Sequence, residues 1–256
     1  MNIFSACVVA GLAAGTALAE TIPLVNPTFS DDLSSITGWS RSGPGTITTS
    51  SQSQDNINPQ PPDSNFNDPD DKSLLMFGPR NDACSQQVTF VFQEVAPRLE
   101  GDRWTVTAFA LERNSDPLTQ TFESLDCQLP GEDPPAGGER AVLQLSFRDA
   151  TGTSIASFEQ GITEASLPRS QWTQISATGV QPPGTVSVRV AFFFIQRTAD
   201  NQDTFADNVR ENGAIRFDNV GLEVFPGNPL DRTGDGAVDA FDVADFVDEV
   251  SLSAAP

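Results

Sequence analysis

Between residues 20 and 225 apolar side chains recur at every second position. Val88, Phe90 and Phe92 alternate with polar neighbours, and so do Trp104, Val106, Ala108 and Ala110, then Ala141, Leu143, Leu145 and Phe147. The longest series is Val186, Val188, Val190, Phe192 and Phe194. A strand sends successive side chains to opposite faces, so each series predicts a half-buried strand with its apolar set on a core. Clusters that favour turns fall between them: Gly43-Pro44-Gly45, Asp149-Ala150-Thr151-Gly152 and Pro182-Pro183-Gly184. No segment from 20 to 235 has a helical period. Roughly 200 residues of such strands predict an all-β chain folded as one two-sheet sandwich.

One series changes parity. Ile215 and Phe217 share one face while Val220, Leu222 and Val224 share the other, which predicts a β-bulge at Asp218-Asn219. Two polar stretches, Ser50 to Lys72 and Asn114 to Arg140, read as surface loops. The stiff run Phe225-Pro226-Gly227-Asn228-Pro229 predicts a boundary between a sandwich over 20–225 and a tail over 226–256.

Residues 1–19 are apolar and end in Ala17-Leu18-Ala19, a small-x-small pattern that predicts a cleaved signal peptide and a secreted, extracellular or cell-surface protein. The run is too short and too rich in Ala and Gly for a membrane span, and no later stretch could form one. The formal net charge is −21, with 35 acidic against 14 basic side chains, and none of these charges lies in residues 1–19. Such an excess repels nucleic acid and anionic lipid and suits divalent cations. Past residue 19 two cysteines remain, Cys84 and Cys127, the pair for one disulfide in an oxidising compartment.

Candidate chemistry concentrates in the tail. Asp231-Arg232-Thr233-Gly234-Asp235-Gly236-Ala237-Val238-Asp239-Ala240-Phe241-Asp242 has the spacing of a twelve-residue EF-hand type of loop. Asp231, Thr233 and Asp235 would offer side-chain oxygens, Ala237 its carbonyl, Asp239 a bridging water, and Asp242 the closing carboxylate. Gly236 takes the sharp turn. Four carboxylates within twelve residues repel one another unless a cation lies among them, and oxygen donors suit Ca2+. Thr at the third position and Asp in place of Glu at the twelfth predict weak affinity, about 10⁻⁴ to 10⁻³ M. Val243, Phe246, Val247 and Val250 follow at helical spacing, with Asp245, Asp248 and Glu249 on the other side. That stripe must bury itself against the sandwich or against a second protein.

The run from Asp231 to Val247 resembles one half of a dockerin, a calcium-dependent module that binds cohesin domains. The resemblance implies an anchoring tail and a cohesin-like or other envelope partner for the helix. Dockerins carry two such halves, and this sequence shows one. The sandwich resembles the galactose-binding-like jelly rolls found among carbohydrate-binding modules. The residues that carry this are Asn26-Pro27-Thr28-Phe29, Gly38-Trp39, Gly101-Asp102-Arg103-Trp104-Thr105-Val106, Trp172-Thr173-Gln174-Ile175, Pro183-Gly184-Thr185-Val186 and Phe217-Asp218-Asn219-Val220. The family places a Glu after the first motif, where it joins the late Asp in a structural calcium site. Here Ser30 stands at that place, followed by Asp31 and Asp32, so the resemblance implies a candidate second site from Asp31, Asp32 and Asp218.

The function these features favour is a non-catalytic binding or display protein that recognises polysaccharide or a surface glycan and uses a calcium-dependent docking tail. Trp39 and Trp104 are the candidate glycan contacts, although all three tryptophans lie in strand-like motifs and suit the core better. Three buried tryptophans would favour the alternative, a structural envelope or matrix protein. With no His and no Tyr, imidazole proton transfer, His-activated serine hydrolysis and tyrosine-based lyase chemistry are excluded. A carboxylate-based glycosidase is the remaining enzymatic option, and no carboxylate stands in an apolar context that would tune it.

Overall fold

The computed structural model describes residues 19–30, 36–51, 61, 71–78, 87–114, 118, 139–163, 166–196 and 213–227. Residues 231–242, proposed above as a calcium loop, the helical stripe 243–250, Cys84 and Cys127, the segment 1–18 and the pair Asp31 and Asp32 lie outside them. Among the described residues the elements are all strands: β1 (Glu20–Thr21), β2 (Ser40–Ser42), β3 (Thr46–Ser51), β4 (Lys72–Phe77), β5 (Gln87–Val95) and β6 (Arg103–Glu112). They continue with β7 (Arg140–Arg148), β8 (Ser154–Ile162), β9 (Thr173–Val180), β10 (Ser187–Gln196) and β11 (Ala214–Phe225).

Every pairing is antiparallel, and the strands form two sheets. One has the order β3-β4-β11-β6-β9 with β1 also on β11; the other has the order β2-β5-β10-β7-β8. From β5 onward the chain crosses between sheets at each connection except the β7–β8 hairpin. This is the jelly-roll sandwich. Its core is the set of inward positions that period two selects. Trp104, Val106, Ala108 and Ala110 on β6 meet Leu143, Leu145 and Phe147 on β7 and Val190, Phe192 and Phe194 on β10. Phe192 packs on Phe217 with ring centroids 4.4 Å apart. Each such side chain removed from water contributes about 1.5–3 kcal/mol.

The bulge in β11 lies where the parity change predicts it. Its register against β6 shifts between Asp218 and Gly221, and Asn219 takes a φ of 51°. Val220 N then donates to Pro27 O at 3.0 Å, so the bulge holds the loop over residues 26–30 against the sheet.

One strand faces the other way from the prediction. On β5 the buried positions are Thr89, Val91 and Gln93, while Phe90 and Phe92 are half-buried on the opposite side. The reason is hydrogen bonding. Gln93 donates to Val25 O at 3.1 Å and Gly38 O at 2.9 Å and accepts from Val25 N at 2.8 Å. Thr89 Oγ1 accepts from Gly45 N at 2.7 Å. These bonds satisfy two polar side chains inside and release the phenylalanines to the outer face.

Candidate functional site

The outer face of the five-stranded sheet is built in cross-strand rows. In the first, Phe193 of β10 pairs with Phe90 of β5 and Val142 of β7, with Ser42 of β2 beyond Phe90. In the second, Ala191 lies between Phe92 and Gln144, with Glu159 of β8 beyond Gln144. In the third, Arg189 lies between Glu94 and Ser146. The face therefore grades from aromatic at one end to charged at the other.

The aromatic end is a platform. The Phe90 ring stacks on Phe193 at 5.2 Å and 22° between planes, and on Phe92 at 5.6 Å and 30°. Three half-buried rings held nearly parallel on an outer sheet surface are unusual, because strand side chains of this size ordinarily go to the core. Between the aromatic and charged rows Ala191 is fully covered by its neighbours.

The charged end is fixed by one carboxylate. Arg189 donates from Nε and Nη2 to Glu94 Oε1 at 2.9 and 2.6 Å, and its guanidinium lies 4.0 Å from the Phe92 ring centroid. Arg148 Nε approaches the same oxygen at 3.7 Å. Gln144 Nε2 donates to Glu159 Oε1 at 2.7 Å in the adjacent row. Beside Arg189, Ser146 Oγ is buried with no hydrogen-bond partner among the described residues.

The residues singled out from the sequence are distributed differently. Trp39 is 7% exposed and donates Nε1 to Asn26 O at 3.1 Å; Trp104 is fully buried and donates Nε1 to Gln181 Oε1 at 3.1 Å. Trp172 is buried as well, so all three tryptophans lie in the core, the arrangement that favours a structural protein unless another aromatic surface meets the glycan. The indoles named as glycan contacts thus lie in the core, and the aromatic surface is made of phenylalanine. A signal for it was present: in Phe192-Phe193-Phe194 one ring must point away from the other two, and Phe90 and Phe92 share a strand with inward Val91. Asp218 is buried at the bulge and accepts from Asn219 N at 2.7 Å. Ser30, at the family's Glu position, accepts from Lys72 N at 3.1 Å. Among the described residues no three acidic, His or Cys side chains come together as a metal cluster. No described helix is long and apolar enough to cross a membrane.

No family model matches the chain, and no curated protein matches it. Solved structures share its fold. A cyclase from Fischerella sp. TAU aligns with a TM-score of 0.50 at 12% identity, over 82% of this chain and 100% of its own. TmCBM61, solved with beta-1,4-galactotriose, aligns with a TM-score of 0.42 at 12% identity, over 77% of this chain and 94% of its own. The enzymatically active domain of tailspike protein 4 from bacteriophage CBA120 gives 0.47 at 14% identity over 78% of this chain. This chain covers 21% of that tailspike chain. At 12% identity the likeness to the cyclase shows the sandwich fold and nothing about its chemistry.

Proposed function

We propose that this chain is an exported, non-catalytic glycan-binding sandwich whose sugar site is the outer face of the five-stranded sheet. The observation that carries the reading is the stacked platform of Phe90, Phe92 and Phe193. A pyranose ring has an apolar C–H face and a rim of hydroxyls. The platform matches the first, and Glu94, Arg189, Gln144 and Glu159, on the same surface, match the second. Sites for small polar ligands are made in this way, from apolar area with a few fixed polar groups.

A binding role, as opposed to a catalytic one, is supported by how the carboxylates are engaged. Glu94 is held by two guanidinium groups and Glu159 by an amide, so both are orienting groups. The tail belongs to the same proposal. Asp231, Thr233, Asp235, Ala237, Asp239 and Asp242 supply oxygen donors alone, which fits Ca2+, and the ion would relieve their mutual repulsion.

The test is affinity electrophoresis of chain 20–256 through gels containing soluble neutral polysaccharides such as xylan, galactan and mixed-linkage glucan. At least one should retard the wild type, and Phe90→Ala should abolish the retardation. Equal mobility in all gels would remove the sugar reading and leave a structural protein.

A further inference from the structure

Four of the five large apolar side chains that stand exposed among the described residues crowd one end of the sandwich. They are Leu99 (76% exposed), Val186 (53%), Ile155 (43%) and Val180 (39%). Leu99 lies between β5 and β6, Val180 closes β9, Val186 precedes β10, and Ile155 opens β8. The loops that bear them are tied together. Gly101 N donates to Gln181 O at 3.0 Å and Gln181 N to Asp102 O at 2.8 Å, while Val186 N donates to Arg148 O at 2.7 Å. Ile155 Cδ1 lies 4.0 Å from where a side chain on Gly184 would begin.

The chain leaves the sandwich at this same end. Asp102 is the joint: its Oδ2 accepts from Leu99 N at 3.0 Å and its Oδ1 from Gly227 N at 2.7 Å. Gly227 lies so close to Gly101 that an added Cβ would fall 2.6 Å from the Gly101 carbonyl oxygen. Gly227, the last described residue, thus shares the Asp102 carboxylate with Leu99. The sequence beyond it carries an apolar stripe, Val243, Phe246, Val247 and Val250.

We propose that residues 243–250 dock back on this end of the same chain, stripe against Leu99, Val180, Val186 and Ile155. The point where the chain leaves the sandwich selects that occupant. The tether is short: only residues 228–230 separate Gly227 from the calcium-loop sequence, about 10 Å at full extension. A segment held so close has an effective concentration in the millimolar range, above that of most separate partners. The calcium loop then acts as a stiff elbow that aims the stripe at the sandwich, and the patch is covered in the working molecule.

Hydrogen–deuterium exchange on chain 20–256 in excess calcium tests this. Amides of 243–250 should be protected about tenfold or more, and the Leu99→Asp, Val186→Asp double variant should expose them while β7 and β10 keep their protection. Val247→Asp should reciprocally raise exchange at 97–101. Free exchange of 243–250 in the wild type would overturn the proposal. So would protection that survives the patch variant, and so would protection that rises with protein concentration alongside a doubled mass, which would mean a second copy.

Discussion

Replacing Trp104 with Phe separates the core from the proposed sugar face. Trp104 is fully buried, lies edge-on to Phe147 with centroids 6.5 Å apart, and gives its Nε1 proton to Gln181 Oε1 at 3.1 Å. Phe keeps the edge-on contact but loses that bond, which costs about 1 kcal/mol. Gln181 Oε1 retains its bond from Arg98 N at 3.1 Å, so no buried acceptor is orphaned. The smaller ring leaves a void of about 40 Å³, worth about another 1 kcal/mol at the usual cavity cost. The sum, about 2 kcal/mol, should lower the Tm by about 4–8 °C in a domain of this size, read by calorimetry. Affinity for whichever polysaccharide retards the wild type should stay within about twofold below the transition, since ordinary mutants far from a site do not couple to it. A variant that keeps its Tm and loses the sugar would refute the placement of Trp104 and the reasoning that moved the site to the phenylalanines.

Three further outcomes are expected. Asp149, at the β7–β8 turn, accepts from Thr151 Oγ1 at 2.7 Å, Thr153 N at 2.9 Å and Thr151 N at 2.8 Å, and these bonds hold its carboxyl below the ordinary 3.8. A carboxyl lowered in the folded state adds stability above its unfolded value and loses it as pH falls through the folded one. Asp149→Asn should therefore lower the Tm at pH 7, with the gap to wild type closing as the pH drops below 3.8; a gap independent of pH would count against the turn's role. Gly179 has no room for a side chain, because an added Cβ would lie 2.1 Å from the Phe158 ring. Gly179→Ala should cost about 1–3 kcal/mol in urea unfolding, and an unshifted midpoint would show that the β8 and β9 edges do not press together. Calorimetric titration with calcium should give heat in the wild type and none in the Asp231→Ala, Asp235→Ala double variant; no heat from either at millimolar calcium would remove the metal from the tail.

The strands with a single strong parity were legible in the sequence. The alternations in β6, β7 and β10 name the residues that bury themselves, and the switch at Asp218-Asn219 marks the bulge. Val186 marks where the pattern overruns: it precedes β10 and stands exposed. β8 left no such trace, because its outer positions are polar and most of its length is exposed at a sheet edge. The outer aromatic face was hidden by the same logic that exposed the rest. Period two assigns the more apolar parity of a strand to the core, and in β5 that rule selects Phe90 and Phe92. What reverses it is the set of hydrogen bonds from Gln93 to Val25 and Gly38, contacts 68 and 55 residues away in sequence. Long-range satisfaction of a polar side chain has no local signature. Trp39 and Trp104 drew attention for the opposite reason: tryptophan is common at sugar sites and in cores alike, and only its Nε1 partner, supplied by Asn26 and Gln181, decides between them.

The most direct test of the central claim is the affinity of Phe193→Ala for the retarding polysaccharide, measured by calorimetry beside Trp104→Phe. Phe193 stacks on Phe90 at one end of the platform, so removing its ring should weaken binding by about tenfold, the worth of one aromatic contact, with the sandwich still folded at the assay temperature. Trp104→Phe should lower the Tm and keep the affinity. If Phe193→Ala binds as the wild type does, the outer face of the five-stranded sheet is not where the glycan lies.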